Sequence, residues 1–396
     1  MSLANGREYL AIPGPSVVPD RVLRAMHRAA PNIYIGELVE MTHGIVRDLR
    51  RVARTSHDVA MYICNGHGTW EASLSNTMSR GDKVLVLDTG QFGRGWGATA
   101  QGLGIEVEML PGDSRKPVDL ARLTEALRAD KDHRIKGVLA VHVETSSSGR
   151  CDIAGVRRAL DDAGHPALLF SDNIASLAVD EFHMDDWGVD VMVSASQKGL
   201  MVPPGMGFVF FSPRATRARE TADLATPYWD WRLRARPEMF YQHFGGTAPT
   251  HHLYGLREAL DMILDEEGLE AVWTRHAALA RTIWAAVEAW GQGSDVALNM
   301  TDLAARSHSV TTIRMGEGQG DRLRAWLEAE TGVTLGKPLG AEMPEASGIF
   351  RIGHMGHVNA HMVMGVLGAM QAGMIALDIP HGAGALDAAA AVVAAG

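Results

Sequence analysis

Lys198 lies in the run Ser194-Ala195-Ser196-Gln197-Lys198-Gly199-Leu200-Met201-Val202-Pro203-Pro204-Gly205, among small residues and just ahead of a Pro-Pro-Gly turn. The apolar residues 190–193 before it and 207–211 after it predict buried strands. An amine on a tight turn between two buried strands has poor access to bulk water. Its charged form loses stabilisation, its pKa falls, and it becomes a nucleophile toward an aldehyde. The bland alternative is a surface lysine in a hairpin loop. Upstream, the apolar run 167–171 leads into Asp172. In parallel sheets, residues just past the carboxyl ends of strands face the ligand crevice. A carboxylate there can hold a ring nitrogen in its protonated form. Pyridoxal phosphate needs that pairing to draw electrons from a substrate carbon. The alternative for Asp172 is a helix N-cap. The lysine turn and the strand-end aspartate together are more specific than either alone.

The elements that must position these groups alternate along the chain. Residues 59–63 predict a strand that runs into Cys64-Asn65-Gly66-His67-Gly68-Thr69-Trp70-Glu71-Ala72, which opens a helix. Strand, glycine turn and helix together offer free backbone N–H groups to a phosphate. Gly66 and Gly68 allow close backbone approach, Thr69 offers a hydroxyl, and the backbone N–H of His67 is the expected contact whatever its ring does. Further strands are expected at 83–87, 105–109, 137–143 and 167–171, with helices at 118–129 and 153–163. Alternation from about 59 to 211 predicts an α/β fold with a mostly parallel sheet covered on both faces. Pro13, Pro15 and Pro19 forbid a helix over 9–19, so this stretch is an extended arm, and Asp20 caps a helix starting at 21. Helices are also expected at 38–56, 253–265, 267–290, 320–331, 358–376 and 384–396, and strands at 309–314 and 350–356. The expected division is an arm (1–20), a large domain (21–265) and a small C-terminal domain (266–396).

The 396 residues are 46% hydrophobic with a formal net charge of −10 and no long basic run, which argues against nucleic acid as a partner. Two cysteines, Cys64 and Cys151, do not suggest a disulfide framework and fit a reducing cytoplasm. No apolar signal region opens the N-terminus, no uncharged apolar stretch reaches membrane-span length, and the C-terminus carries no peroxisomal tripeptide. His354, His357 and His361 lack a strong zinc spacing and neighbouring cysteines, so no metal site is expected.

Asp172-Asn173-Ile174-Ala175-Ser176, taken with Ser196-Gln197-Lys198-Gly199-Leu200-Met201-Val202-Pro203-Pro204-Gly205, resembles the class V pyridoxal-phosphate aminotransferases. The branch it is most similar to holds the serine–glyoxylate, alanine–glyoxylate and serine–pyruvate enzymes, and the resemblance spans roughly residues 9 to 375. It implies the aspartate-aminotransferase-like fold (fold type I) and a homodimer with shared active sites. It implies pyridoxal 5′-phosphate as cofactor, with Lys198 as its covalent anchor and Asp172 as partner of the ring nitrogen.

The resemblance also implies roles for other residues. Phe92 and Ile174 would cover the two ring faces, with Trp96 as the competitor for Phe92. Gln197 and the Gly66–His67–Gly68 turn would reach the phosphate. In Glu144-Thr145-Ser146-Ser147-Ser148-Gly149 the loop is one residue longer than in relatives. The hydroxyl that meets the ring oxygen is therefore Thr145 or Ser146, with Thr145 preferred. Segment 225–250 would cross to the partner and deliver Thr247 to its phosphate. The accompanying aromatic falls on Phe244 by strict counting, or on Tyr241 if the chain bulges. Arg351, in Phe350-Arg351-Ile352-Gly353-His354-Met355-Gly356, would bind the substrate α-carboxylate, a role that suits a planar guanidinium. Tyr34 is a substrate-side candidate in a loop that departs from the family, and Lys337 either touches the pocket or faces solvent. The expected activity moves an amino group from serine, alanine or aspartate to glyoxylate or pyruvate. The alternatives are a pyridoxamine–pyruvate aminotransferase, a class V lyase such as a cysteine desulfurase (disfavoured because no cysteine follows Cys151), and a non-catalytic cofactor-binding protein.

Overall fold

The computed structural model describes residues 2–341 and 343–396. Strand β1 (Tyr9–Ala11) opens the chain. Seven later strands form the central sheet: β2 (Asp58–Tyr62), β3 (Lys83–Leu87), β4 (Glu106–Leu110), β5 (Ile135–Val141), β8 (Leu168–Asp172), β9 (Val191–Ala195) and β10 (Gly207–Phe211). Between β5 and β8 lies a short hairpin, β6 (Val143–Glu144) with β7 (Gly149–Arg150). The spatial order is β2-β10-β9-β8-β5-β3-β4. β10 runs antiparallel to both of its neighbours, and the remaining pairs are parallel. The mostly parallel sheet expected from the alternation is present.

These strands are apolar throughout because both faces are covered, and the period of two sorts their side chains. Leu85, Leu87, Val138, Ala140, Leu169 and Met192 enter one core. Val84, Val86, Leu139, Val141, Phe170 and Val193 enter the other. The crossover helices include Gly66–Ser75, Gln91–Gly102, Leu120–Ala129 and Ile153–Asp162. The carboxyl ends of β2, β3, β5 and β8 and the loop from β9 to β10 therefore open on the same side of the sheet.

The C-terminal unit pairs β11 (Ala297–Leu298), β12 (Val310–Arg314) and β14 (Ile349–Gly353) in an antiparallel sheet. Helices Leu269–Trp290, Gln319–Thr331, Ala360–Ala376 and Ala385–Ala395 share a separate core with it. Among the described residues no helix is long and apolar enough to cross a membrane.

Three departures from the expected elements have physical causes. The arm over 9–19 is not merely extended: β1 pairs in parallel with β13 (Val333–Leu335), and Ala11 is buried in the C-terminal core. The strand expected at 137–143 ends at Val141. There His142 donates its N–H to the Asp172 carbonyl (2.9 Å) and accepts from the Cys151 N–H (2.8 Å), turning the chain into the β6–β7 hairpin. The helix expected over 253–265 is Thr250–Asp261, and a π-turn over Met262–Glu267 joins it to Leu269–Trp290.

Candidate active site

Lys198 sits on the connection from β9 to β10. That loop is fixed from within: Ser196 donates its hydroxyl to the Pro203 carbonyl (2.8 Å), and Ser196 N–H donates to the Met206 carbonyl (2.9 Å). It is fixed from outside by the N-terminal arm. Ser16 N–H donates to the Gln197 carbonyl (2.9 Å) and the Ser16 hydroxyl to the Lys198 carbonyl (2.7 Å). The Lys198 amine donates to the Pro13 carbonyl. It lines a cavity of about 290 Å³ together with Gly14, Gly66, Phe92, Thr145, Asp172 and Ile174. That volume is close to the lower end of the roughly 300–1,000 Å³ range of small-molecule sites. Burial lowers the amine's pKa to about 8; the nearby Arg351 guanidinium adds to this and Asp172 opposes it.

Asp172, at the end of β8, is buried. Its two oxygens are held separately. Oδ1 accepts from the Ile174 N–H (2.8 Å) and Oδ2 from the Trp70 indole N–H (2.7 Å). Burial pushes its pKa up to about 7, with the charge of Glu144 adding to the rise; the two hydrogen bonds and Lys198 oppose it.

The glycine turn after β2 opens helix Gly66–Ser75 as expected. A Cβ at Gly66 would collide with Ile174, and one at Gly68 would lie 2.6 Å from the Cys64 Cβ. The helix also caps itself: the Asn65 side chain accepts from His67 N–H (3.1 Å) and Gly68 N–H (3.4 Å). Thr69 is buried, and its hydroxyl donates to the Gly66 carbonyl (2.7 Å), so it points into its own helix and not toward a ligand. The His67 ring lies edge-on to Trp70, with centroids 4.7 Å apart.

Glu144 is fully buried at the end of β6. Its Oε2 accepts from Phe92 N–H (3.0 Å) and Gly93 N–H (3.2 Å), capping the first turn of helix Gln91–Gly102. Its Oε1 accepts from the Ser146 N–H (3.0 Å) and hydroxyl (2.6 Å). The Ser146 hydroxyl is thus committed, whereas Thr145 lines the cavity. Phe92 lines it too, while Trp96 is buried against Trp70, parallel at 6.1 Å. The buried oxygens without a partner among the described residues include Gln197 Oε1, beside the lysine, and Thr89 Oγ1, one residue before the Gly90 N-cap.

Arg351, on β14, is 7% exposed. Its Nε donates to the Lys337 carbonyl (2.7 Å) and its Nη1 to the Thr145 carbonyl (3.1 Å), so it spans both units of the chain. Burial lowers its pKa to about 10, with Glu144 pulling the other way. The Lys337 side chain faces solvent.

Three expected residues are not brought to this cavity by their own chain. Tyr34 is 78% exposed, Tyr241 is 51% exposed, and Thr247 is also exposed. Phe244, the competitor of Tyr241, is 1% exposed and belongs to the main core. Sequence reasoning assigns no role to Trp70, Asn65 or the Glu144 carboxylate. Glu144 carried the same signal as Asp172, an acid closing an apolar run. Trp70 lies one helical turn beyond Gly66, on the same helix face.

The model of the family "Aminotransferase class-V" matches residues 67–346. The chain is a class V aminotransferase. This aminotransferase is 37% identical over 382 residues to the serine–glyoxylate aminotransferase of Methylorubrum extorquens, covering 93% of this chain and 92% of that one. It is equally 37% identical over 383 residues to the L-aspartate–glyoxylate aminotransferase of Paracoccus denitrificans, covering 96% and 94%. Among solved structures it is similar to the pyridoxamine–pyruvate aminotransferase of Mesorhizobium loti, with a TM-score of 0.88 at 25% identity over the full length of both chains. The fold is accordingly fold type I of the pyridoxal-phosphate enzymes.

Proposed function

We propose that this aminotransferase moves the amino group of a small L-amino acid (serine, alanine or aspartate) to glyoxylate or pyruvate, using pyridoxal 5′-phosphate. One observation carries the reading: a buried carboxylate and a lysine amine, Asp172 and Lys198, line one small cavity beside a desolvated guanidinium, Arg351. The residues present fit the cofactor. Asp172 offers an anion for the ring nitrogen, Lys198 an amine for the aldehyde, and Phe92 and Ile174 apolar surface for the ring. Thr145 has the hydroxyl free for the ring oxygen, because that of Ser146 is spent on Glu144. Gln197 and the Gly66–Gly68 turn line the end of the cavity away from Asp172 in this reading, and the Gln197 side-chain amide, whose oxygen has no partner among the described residues, would offer its NH2 to the phosphate.

When bound, the cofactor supplies the aldehyde that receives the amino group and a protonated ring that withdraws electrons from the substrate carbon. The chain supplies the rest. Arg351 holds the α-carboxylate of the donor in its planar fork. Lys198 Nζ, with a pKa near the working range, takes the proton from the donor α-carbon and gives it back to the acceptor. Thr247 and Tyr241, exposed on their own chain, fit a homodimer in which each subunit completes the phosphate site of the other.

A second reading, transfer from free pyridoxamine to pyruvate, is favoured by one feature of the phosphate end. The His67 and Gly68 N–H groups are already capped by Asn65, and Thr69 is turned inward. The experiment is the absorbance spectrum of the purified protein, titrated in turn with serine, alanine, aspartate and free pyridoxamine. Bleaching of the cofactor band by an amino acid, restored by glyoxylate, supports the first reading. A response to pyridoxamine and pyruvate alone supports the second.

A further inference from the structure

Trp70 Nε1 is the one side-chain donor to Asp172 among the described residues, at 2.7 Å, and both groups are buried. Ile174 N–H holds the other oxygen, so the carboxylate cannot rotate without breaking a hydrogen bond. We propose that Trp70 is a positioning residue for transamination, whose indole N–H keeps the Asp172 carboxylate oriented and anionic for the cofactor's ring nitrogen. The inference rests on the pyridoxal-phosphate reading above and adds to it a residue to which that reading gives no role.

The charge environment makes the donor matter. Asp172 sits in a site that opposes its ionisation twice, through burial and through the nearby carboxylate of Glu144. Lys198 favours ionisation, but that amine's own charge is disfavoured by burial and by Arg351, and covalent attachment of an aldehyde would consume it. On the far side, Trp70 meets the His67 ring and the Trp96 ring, neither of which donates to the carboxylate. Without the indole, Oδ2 would lose its one side-chain donor among the described residues, and burial would favour the protonated carboxyl. A neutral acid cannot pair with a pyridinium. Trp70 is held in place by the same helix that presents the Gly66 turn, so one element serves both ends of the cofactor.

The test separates the hydrogen bond from the packing. Trp70→Phe removes the donor. Trp96→Phe is the matched control: it trims the neighbouring stacked indole, whose Nε1 has no partner among the described residues. Cofactor-free wild type and both variants are titrated with pyridoxal phosphate and with its 1-deaza analogue, which carries C–H in place of the ring nitrogen. W70F is expected to lose roughly ten- to a hundredfold more affinity for pyridoxal phosphate than for the analogue, the range of a hydrogen bond to a charged group. W96F is expected to weaken both ligands alike. Equal losses of both ligands in W70F would overturn the proposal and leave Trp70 a packing residue. Failure of the wild type to bind pyridoxal phosphate would overturn the parent reading with it. W70F that does not fold is replaced by Trp70→Leu, which also lacks a donor and is read by the same ratio.

Discussion

The hydroxyl of Ser16 donates to the backbone carbonyl of Lys198 across 2.7 Å, seating the N-terminal arm on the turn that carries the reactive amine. Between Ser16 and Pro13, whose carbonyl accepts from the Lys198 amine, runs Gly14, at φ +119°, a conformation that side chains with a Cβ rarely adopt. A Cβ there would also meet the Lys198 side chain at its Nζ, Cε and Cδ atoms. Gly14→Ala is expected to cost about 1–3 kcal/mol in thermal or denaturant unfolding. It should also slow covalent capture of pyridoxal phosphate well beyond that of Gly6→Ala, which has open space around it. Equal capture rates in the two variants would mean that the arm does not govern the lysine.

Lys198→Ala should abolish the covalent cofactor band. It should slow the half-reaction with any amino donor by about 10²–10⁴-fold, the usual worth of a positioned acid–base group. Added methylamine should recover part of the rate if proton transfer is what was lost. No recovery would point to a structural role.

The amine of Lys198 has its pKa lowered to about 8 and, as a buried neighbour of Asp172, titrates coupled to it. Only the neutral amine attacks an aldehyde, so the rate of cofactor capture should rise as pH increases toward about 8 and level off above it. A normal lysine would keep rising to about 10.4. Stopped-flow absorbance between pH 6 and 10 distinguishes the two profiles.

Arg351→Lys keeps the charge but loses the fork and two of its anchors, the Lys337 and Thr145 carbonyls. KM for the amino donor should rise roughly tenfold or more while binding of the cofactor alone is little changed. A parallel loss of cofactor affinity would show instead that the side chain mainly holds the two units together.

Mixing inactive Lys198→Ala with an impaired Thr247→Ala protein, followed by subunit exchange, should restore activity, because a hybrid dimer then contains one site with both residues intact. No recovery after demonstrated exchange would place Thr247 outside the site.

How much of this was legible in the chain depends on the range of the interaction. Lys198, Asp172 and the glycine turn announce themselves locally, each as a polar or flexible interruption at the end of an apolar run, and the parallel sheet follows from the alternation of such runs. Contacts between distant segments left no such mark. Nothing near Trp70 in sequence indicates that its indole will meet a carboxylate on another strand. That the Ser146 hydroxyl is taken up by Glu144 while Thr145 lines the cavity is a matter of three-dimensional fit. The pairing of β1 with β13 was hidden by the prolines beside it, which exclude a helix but permit a short strand. Tyr34, Tyr241 and Thr247 are exposed and do not line the cavity of their own chain, and nothing local to them in sequence marks that placement.

The arm also fixes an order of assembly. Tyr9–Ala11 are made well before their pairing partners, Val333–Leu335, and Gly353 lies against Ile12 and Pro13. Contacts so far apart in sequence are slow to form and close last. A growing chain can therefore build its central sheet and the lysine turn while one wall of the cavity is still missing. The site becomes whole only when the C-terminal unit has been synthesised and has folded back onto the beginning. A nascent or truncated chain would expose its lysine to cellular aldehydes without the wall that selects among them.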